Sequence, residues 1–406
     1  MPIRVTLARH AESTANVEGV WRGRTETGLS DLGVRQAEAL ARRRNGSGPV
    51  VASPMIRARM TADALGAYAL DDRLVELDLG DWEGLTPQQV LERYPEEATS
   101  FFSGADFSVP GGETRGEFLA RVTAAFDDVV AGLDDGDEVT VVTHGGVIHA
   151  LTAYTLTGGV GAVPMHIPEN TSLTTLTVDD QAWRLERFND AAHVATASTS
   201  GLADSHAVLI RHGQTTANAE HRWQGRGDAS LTEAGRRQVA ALAADPPRVV
   251  AVYSSPLTRT RLTAEAIAEP LGLGVTTVDD LIEMSFGTWE GMTASEVAAA
   301  DEALYARVYR DGEDLPRGHT GESYRGAGAR MAGAVTALGA SHPGEHFAAV
   351  SHGGATRALV STVLGLSFAD RNRISMVRNT AQTTLALHSA SGPRLVSYNV
   401  AAHLEH

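Results

Sequence analysis

The chain is written twice. Leu7-Ala8-Arg9-His10-Ala11-Glu12-Ser13-Thr14-Ala15-Asn16 returns 202 residues later as Leu209-Ile210-Arg211-His212-Gly213-Gln214-Thr215-Thr216-Ala217-Asn218. Trp21 and Trp223 keep that offset, as do Ser53-Pro54-x-x-Arg57 and Ser255-Pro256-x-x-Arg259. It then grows to 207, where Leu74-Val75-Glu76 and Gly80-Asp81-Trp82-Glu83-Gly84 match Leu281-Ile282-Glu283 and Gly287-Thr288-Trp289-Glu290-Gly291. His144-Gly145-Gly146 matches His352-Gly353-Gly354 at 208. Gly112-Glu113 and Asn170-Thr171 match Gly321-Glu322 and Asn379-Thr380 at 209. Solenoid repeats run to about 20–50 residues, so this period marks a duplicated domain. The stretch 191–205, rich in Ala, Ser and Thr and without periodic apolar residues, reads as a linker between domains at 1–190 and 206–403. Leu404-Glu405-His406 resembles a tag remnant and is set apart.

Each half alternates strand and helix. In the first, strands are expected at 3–8, 50–52 and 138–143, and a closing hairpin at 172–178 and 183–188. Helices are expected at 30–43 (Ser30 as N-cap), 55–65, 117–131 and 147–156. In the second half the strands fall at 207–210, 249–253, 347–350 and 383–387. This alternation implies an α/β fold whose sheet is largely parallel and covered on both faces by helices.

Composition excludes more than it names. The formal charge of −16 argues against nucleic acid and anionic membranes as partners, while leaving room for a local arginine cluster and a small anion. There is no cysteine, hence no disulfide or thiolate chemistry. The start, Met1-Pro2-Ile3-Arg4, is not a signal peptide, and no run of about 18 apolar residues exists, so a cytoplasmic protein is expected.

The chemistry gathers where strands end. The strand of 207–210 delivers Arg211-His212, the next delivers Ser255-Pro256 with Arg259 one turn on, and the late strand delivers His352-Gly353-Gly354. In a parallel sheet these ends share one edge, the usual ligand side. Two guanidiniums and an imidazole there make a cage for a phosphoryl dianion. The second imidazole, neutral near pH 7, can attack phosphorus. Glu283 suits the proton transfers to a leaving alkoxide and from a water, with 280–282 and 284–286 giving it partial, apolar burial.

Taken in order, Arg-His-Gly-x-Thr-x-x-Asn, Ser-Pro-x-x-Arg, Leu-x-Glu-x-x-x-Gly-x-Trp-Glu-Gly and His-Gly-Gly resemble the histidine phosphatase superfamily, in its phosphoglycerate-mutase-like branch. The resemblance covers almost the whole chain, twice. It implies two tandem three-layer α/β/α domains, each with a mainly parallel sheet. It also implies hydrolysis of small phosphomonoesters through phosphohistidine, with no metal and no cofactor. On that resemblance His212 is the nucleophile. Arg211, Arg259 and His352 bind the phosphoryl oxygens, Asn218 supports the phosphate site, and Glu283 is acid and then base. In the first half the roles fall on His10, Arg9, Arg57, His144, Asn16 and Glu76. Glu83 and Glu290 read as structural.

Three departures mark the first half. Ala11 replaces Gly213, the stretch from Arg57 to Glu76 is five residues shorter, and His149 stands for Arg357. None removes a catalytic group. The segments from Gly84 to Gly111 and Gly291 to Gly321 are short, where mutases of this family carry a long enclosing insertion, so hydrolysis is expected over return of the phosphoryl group. The alternatives are a phosphomutase, or one active half beside a regulatory phosphate-binding half. Arg24 and Arg226 are candidate substrate contacts at the pocket edge. Phe101, Phe102 and Phe107 read as lid packing, and Arg42-Arg43-Arg44 as the solvated end of a helix. An apolar rim at 105–110 and a charged one at 311–319 suggest different substrates for the two halves. Duplication also lets a monomer mimic a dimer of single-domain relatives, with a homodimer as the other option.

Overall fold

The computed structural model describes residues 1–44, 48–103, 107–159, 162–180, 182–194, 205–388 and 391–405. Most of the expected linker (195–204), residues 105 and 106 of the expected apolar rim, and His406 lie outside them. The chain divides into two compact units, Met1–Thr199 and Ser200–His406.

The first unit has six strands: β1 (Ile3–Arg9), β2 (Val50–Ala52), β3 (Ala69–Leu70), β4 (Glu138–Thr143), β5 (Leu173–Asp179) and β6 (Ala182–Asp190). They are ordered β3-β2-β4-β1-β5-β6. The first four are mutually parallel; β5 runs antiparallel to β1 and to β6. The second unit repeats this with β7 (Ser205–Arg211), β8 (Ala251–Ser254), β9 (Val275–Thr277), β10 (His346–Ser351), β11 (Gln382–Leu387) and β12 (Arg394–Val400), ordered β9-β8-β10-β7-β11-β12. Central strands such as β4, Glu-Val-Thr-Val-Val-Thr, are buried along almost their whole length, as parallel strands covered on both faces must be.

Helices form the outer layers. In the first unit α1 (Asp31–Arg43) and α2 (Ile56–Asp63) pack through Leu40, Ala58 and Ala62 on Ala8, Val50, Ala52 and Val142 of the sheet. Of the other pair, α4 (Gly145–Thr157) lies against β1 and β6, and α3 (Arg115–Ala131) packs on α4 and on the turn Asp72–Leu74. The second unit has α5 (Glu233–Ala244), α6 (Thr258–Ala268), α7 (Tyr324–Ala340) and α8 (Gly353–Val363) in the same places. Ser30 caps α1 by accepting from the Gly33 N–H at 3.0 Å. α4 and α8 have no capping side chain at their histidine N-caps, which leaves their first N–H groups for another acceptor.

Two readings are corrected. Arg42-Arg43-Arg44 is not simply a solvated helix end, because Arg43 reaches 2.6 Å from the fully buried Asp190 and Arg44 Nε donates to Thr140. The short strands β3 and β9, of two and three residues, carry too little periodicity to be read from sequence. Among the described residues no helix is long and apolar enough to cross a membrane.

Candidate active site

The parallel strands bring the motif residues of each half together at their carboxyl ends. The His10 N–H donates to Thr143 O at 2.8 Å and the His212 N–H to Ser351 O at 3.1 Å, so each first histidine leaves its strand beside the second. The rings of His10 and His144 lie 5.2 Å apart, as do those of His212 and His352.

The tautomer of the first histidine follows from its contacts. His10 Nδ1 lies 2.8 Å from Ala11 O, and His212 Nδ1 lies 2.7 Å from Gly213 O. A carbonyl oxygen only accepts, so Nδ1 carries the proton and Nε2 keeps the lone pair. Arg259 Nε–H donates to that Nε2 at 3.3 Å. Burial, then the charges of Arg57 and Arg9, holds His10 well below the ordinary histidine range; burial, Arg211 and Arg259 do the same to His212. Both are neutral imidazoles at neutral pH.

The second histidine is fully buried, with Nε2 2.8 Å from Ser53 Oγ in one half and from Ser255 Oγ in the other. Among the described residues, Nδ1 of His144 and His352 and Nε of Arg9 and Arg211 are buried with no hydrogen-bond partner. An unsatisfied buried polar atom costs about 1–3 kcal/mol, and here the same two recur at the same two places. An oxygen-rich anion beside the first histidine would satisfy both. Arg9 and Arg211 are otherwise anchored by one bond each, to Pro168 O and Val377 O at 2.6 Å. Burial brings Arg211 down to about 10, which leaves it cationic. Arg57 is braced on the carbonyls of Gly23 and Thr25, and Arg259 on those of Gly225 and Gly227.

Glu76 and Glu283 stand beside the cages; Glu283 is buried next to Leu281 and Met284, and both carboxylates also meet polar partners. The carboxylates occupy the uncapped N-termini of α4 and α8. Glu76 accepts from the Gly146 N–H at 2.9 Å, and Glu283 from those of Gly354 at 3.1 Å and Ala355 at 2.7 Å. The second glycine of each His-Gly-Gly is required by this approach. A Cβ on Gly146 would stand 2.3 Å from Glu76 Oε1, and one on Gly354 2.8 Å from Glu283 Oε1. Each glutamate's charge acts on both arginines of its cage.

Asn16 and Asn218 are oriented through Oδ1, which accepts from the backbone N–H of Ser13 and Thr215. Here the structure adds residues that motif reading passed over. Asn170 Nδ2 donates to His10 O and to Asn16 Oδ1; Asn379 does the same for His212 and Asn218. Their recurrence at the 209 offset was the available signal. Glu113 and Arg121 clamp the backbone around Glu76, Glu113 through the Asp78 N–H and Arg121 through the carbonyls of Arg73 and Val75.

Arg24 and Arg226 are ion-paired: Arg24 with Asp78 (3.3 Å) and Glu113 (2.8 Å), Arg226 with Glu322 (3.3 Å). Glu83 accepts from the N–H groups of Arg24 and Thr25, and Glu290 from Ser285 and Phe286. Phe101 packs on Trp21, Trp82, Phe102 and Phe107. Within the stretch 311–319, Arg317 is buried while Asp311 and His319 are exposed. Arg317 is 1% exposed, stacks on Phe368 at 4.3 Å and pairs with Asp314, and His319 pairs with Asp301.

The departures of the first half fall outside the cage. Gly213 does not have positive φ; a Cβ there would stand 2.7 Å from Val239 and from Gly235 O. Ala11 fits because Ala37 occupies the position of Val239. The five missing residues are lost after α2, where the second half has a longer helix and an added turn, Glu269–Leu271. Among the described residues no group of three or more His, Asp or Glu side chains is placed to hold a metal ion.

This chain belongs to the histidine phosphatase superfamily (branch 1), whose model matches residues 5–191 and again 207–401. It is 38% identical over 170 residues to a bifunctional protein of Mycobacterium tuberculosis, a match covering 40% of this chain and 46% of that one. The chain thus spans less than half the length of that relative. It is 32% identical over 224 residues to the glucosyl-3-phosphoglycerate phosphatase of the same organism, covering 48% of this chain and 97% of the relative. A metal-independent phosphoserine phosphatase of Arabidopsis thaliana is 35% identical over 168 residues, covering 40% and 71%.

Proposed function

We propose that this protein hydrolyses small-molecule phosphomonoesters, with a metal-independent site in each half that works through phosphohistidine. The observation that carries the reading is the pair of unsatisfied buried atoms, arginine Nε and histidine Nδ1, beside a neutral histidine whose Nε2 is a free base in both halves. The names of two relatives, both small-metabolite phosphatases, support it.

In the second half the phosphoryl oxygens bind Arg211, Arg259 and His352. The His212 Nε2 lone pair forms the N–P bond as the P–O bond to the alcohol breaks, and Glu283, in its acid form, gives the alkoxide its proton. The resulting carboxylate takes a proton from water, whose oxygen attacks phosphorus; the N–P bond breaks, phosphate leaves and Nε2 regains its lone pair. The helix N-terminus holds Glu283 in place through both steps, so positioning and charge stabilisation supply most of the acceleration. His10, Arg9, Arg57, His144 and Glu76 do the same in the first half.

The test is phosphate release from a panel of phosphomonoesters, with chelator present, by wild type, His10→Ala, His212→Ala and the double variant. Partial activity in each single variant and none in the double supports two sites. Loss of everything in one single variant leaves the other half regulatory. Activity in the double variant overturns the phosphohistidine.

A further inference from the structure

The duplication supplies an internal comparison. The two cages carry the same groups, so what differs around them is what distinguishes the substrates. Three matched positions change charge together. Asp78, 3.3 Å from Arg24, is replaced by Ser285, whose hydroxyl donates to Glu290 and leaves Arg226 with Glu322 alone. Arg226 is also the more exposed, at 45% against 39%.

Glu169 is replaced by Arg378. These residues hold the same backbone place: each directly follows the residue whose carbonyl anchors the cage arginine, and each N–H donates to an asparagine Oδ1 at 2.7 Å. Glu169 is partly buried and its charge acts on Arg9. Arg378 is 48% exposed, and its ion-pair contact, with Glu405, is a long 3.9 Å.

His149 is replaced by Arg357, three residues beyond the Gly354 N–H that holds Glu283. The Arg357 guanidinium touches neutral atoms: the carbonyls of Arg371 and Ile374, Asn372 Oδ1, and the sulfur of the exposed Met376. Two carboxylates of the first half, Asp78 and Glu169, thus give way to a serine and a guanidinium, and a histidine gives way to a second guanidinium. Charges at a pocket mouth select between ligands by repelling one class as well as attracting the other.

Resting on the phosphatase reading above, we infer that the two sites divide substrates by the charge of the alcohol part. The second half takes phosphomonoesters that carry a further anionic group, such as a carboxylate or second phosphate. The first half takes those whose alcohol part is neutral or cationic.

The test uses two probes that differ by one group, 3-phosphoglycerate and glycerol 3-phosphate, where a carboxylate replaces a hydroxymethyl. The full chain is assayed as His10→Ala, reporting the second site, and His212→Ala, reporting the first, with p-nitrophenyl phosphate as a common substrate. The ratio of kcat/KM for 3-phosphoglycerate over glycerol 3-phosphate is expected to be at least about tenfold higher in His10→Ala. Adding Arg357→His and Arg378→Glu to His10→Ala should bring that ratio down toward the value of His212→Ala, chiefly through KM. Equal ratios in the two single variants, with p-nitrophenyl phosphate hydrolysed by both, overturn the division of substrates. Failure of either single variant to hydrolyse p-nitrophenyl phosphate overturns the two-site reading itself, and this inference with it.

Discussion

Arg259 Nε–H donates to His212 Nε2 across 3.3 Å, while the opposite nitrogen of the same ring gives its proton to Gly213 O. The guanidinium thus stands on the lone pair that would meet phosphorus; burial first, then the charges of Arg211 and Arg259, disfavours a proton on the ring.

This has a consequence for stability. His10, His144, His212 and His352 are all held well below the ordinary histidine range, chiefly by burial, and burial brings His193 down to about 4. In the unfolded chain each titrates near about 6.5. Below that pH the unfolded state binds protons that the folded state does not, so stability falls as pH falls; above it these groups contribute nothing. The urea midpoint is expected to drop steadily from pH 7.5 to 5.5, and less steeply when His144 and His352 are replaced by Gln. A midpoint flat across that range would show that these rings protonate freely in the fold.

The Gly354 position tests the placement of Glu283. In Gly354→Ala the new Cβ, 2.8 Å from Oε1, displaces the carboxylate from the helix N-terminus. In a His10→Ala background, release of phosphate from an alkyl ester should fall about 100-fold. Hydrolysis of p-nitrophenyl phosphate, whose leaving group needs little protonation, should fall much less. An equal loss for both esters would argue against Glu283 as the acid.

Ala11 and Ala37 in one half match Gly213 and Val239 in the other. Gly213→Ala alone should destabilise the second unit by about 1–3 kcal/mol through overpacking against Val239. Val239→Ala added to it should recover the part of that loss due to the valine methyl, while the 2.7 Å contact with Gly235 O remains, a coupling of about 1 kcal/mol in a double-mutant cycle. Simple additivity would locate the strain elsewhere.

Asp190 is fully buried, with Arg43 at 2.6 Å and Arg187 at 3.0 Å. Arg43→Ala should cost about 1–3 kcal/mol, the penalty for removing a partner of a buried charge. Chemical denaturation measures this directly; a cost within about 0.5 kcal/mol would return Arg43 to the class of ordinary surface residues.

What the sequence determined by itself is the duplication, the alternating α/β order and the identity of the clustered groups. These are local properties: a buried strand announces itself by its apolar run, and its end carries the next residues of the chain to the sheet edge whatever else the fold does. What only the tertiary structure decided depends on groups distant in the chain. Glu283 is buried beside Leu281 and Met284, as its neighbours suggested, and the Met284 N–H donates to it, but its other partners lie 71 and 72 residues away on a helix N-terminus. Asn170 gained its role by reaching His10, 160 residues back, and Arg43 left the solvent for an aspartate 147 residues ahead. Arg317, in the charged stretch 311–319, is buried and stacked within the fold. Burial, hydrogen-bond partner and tautomer are properties of the space around a side chain, and that space is assembled from distant segments.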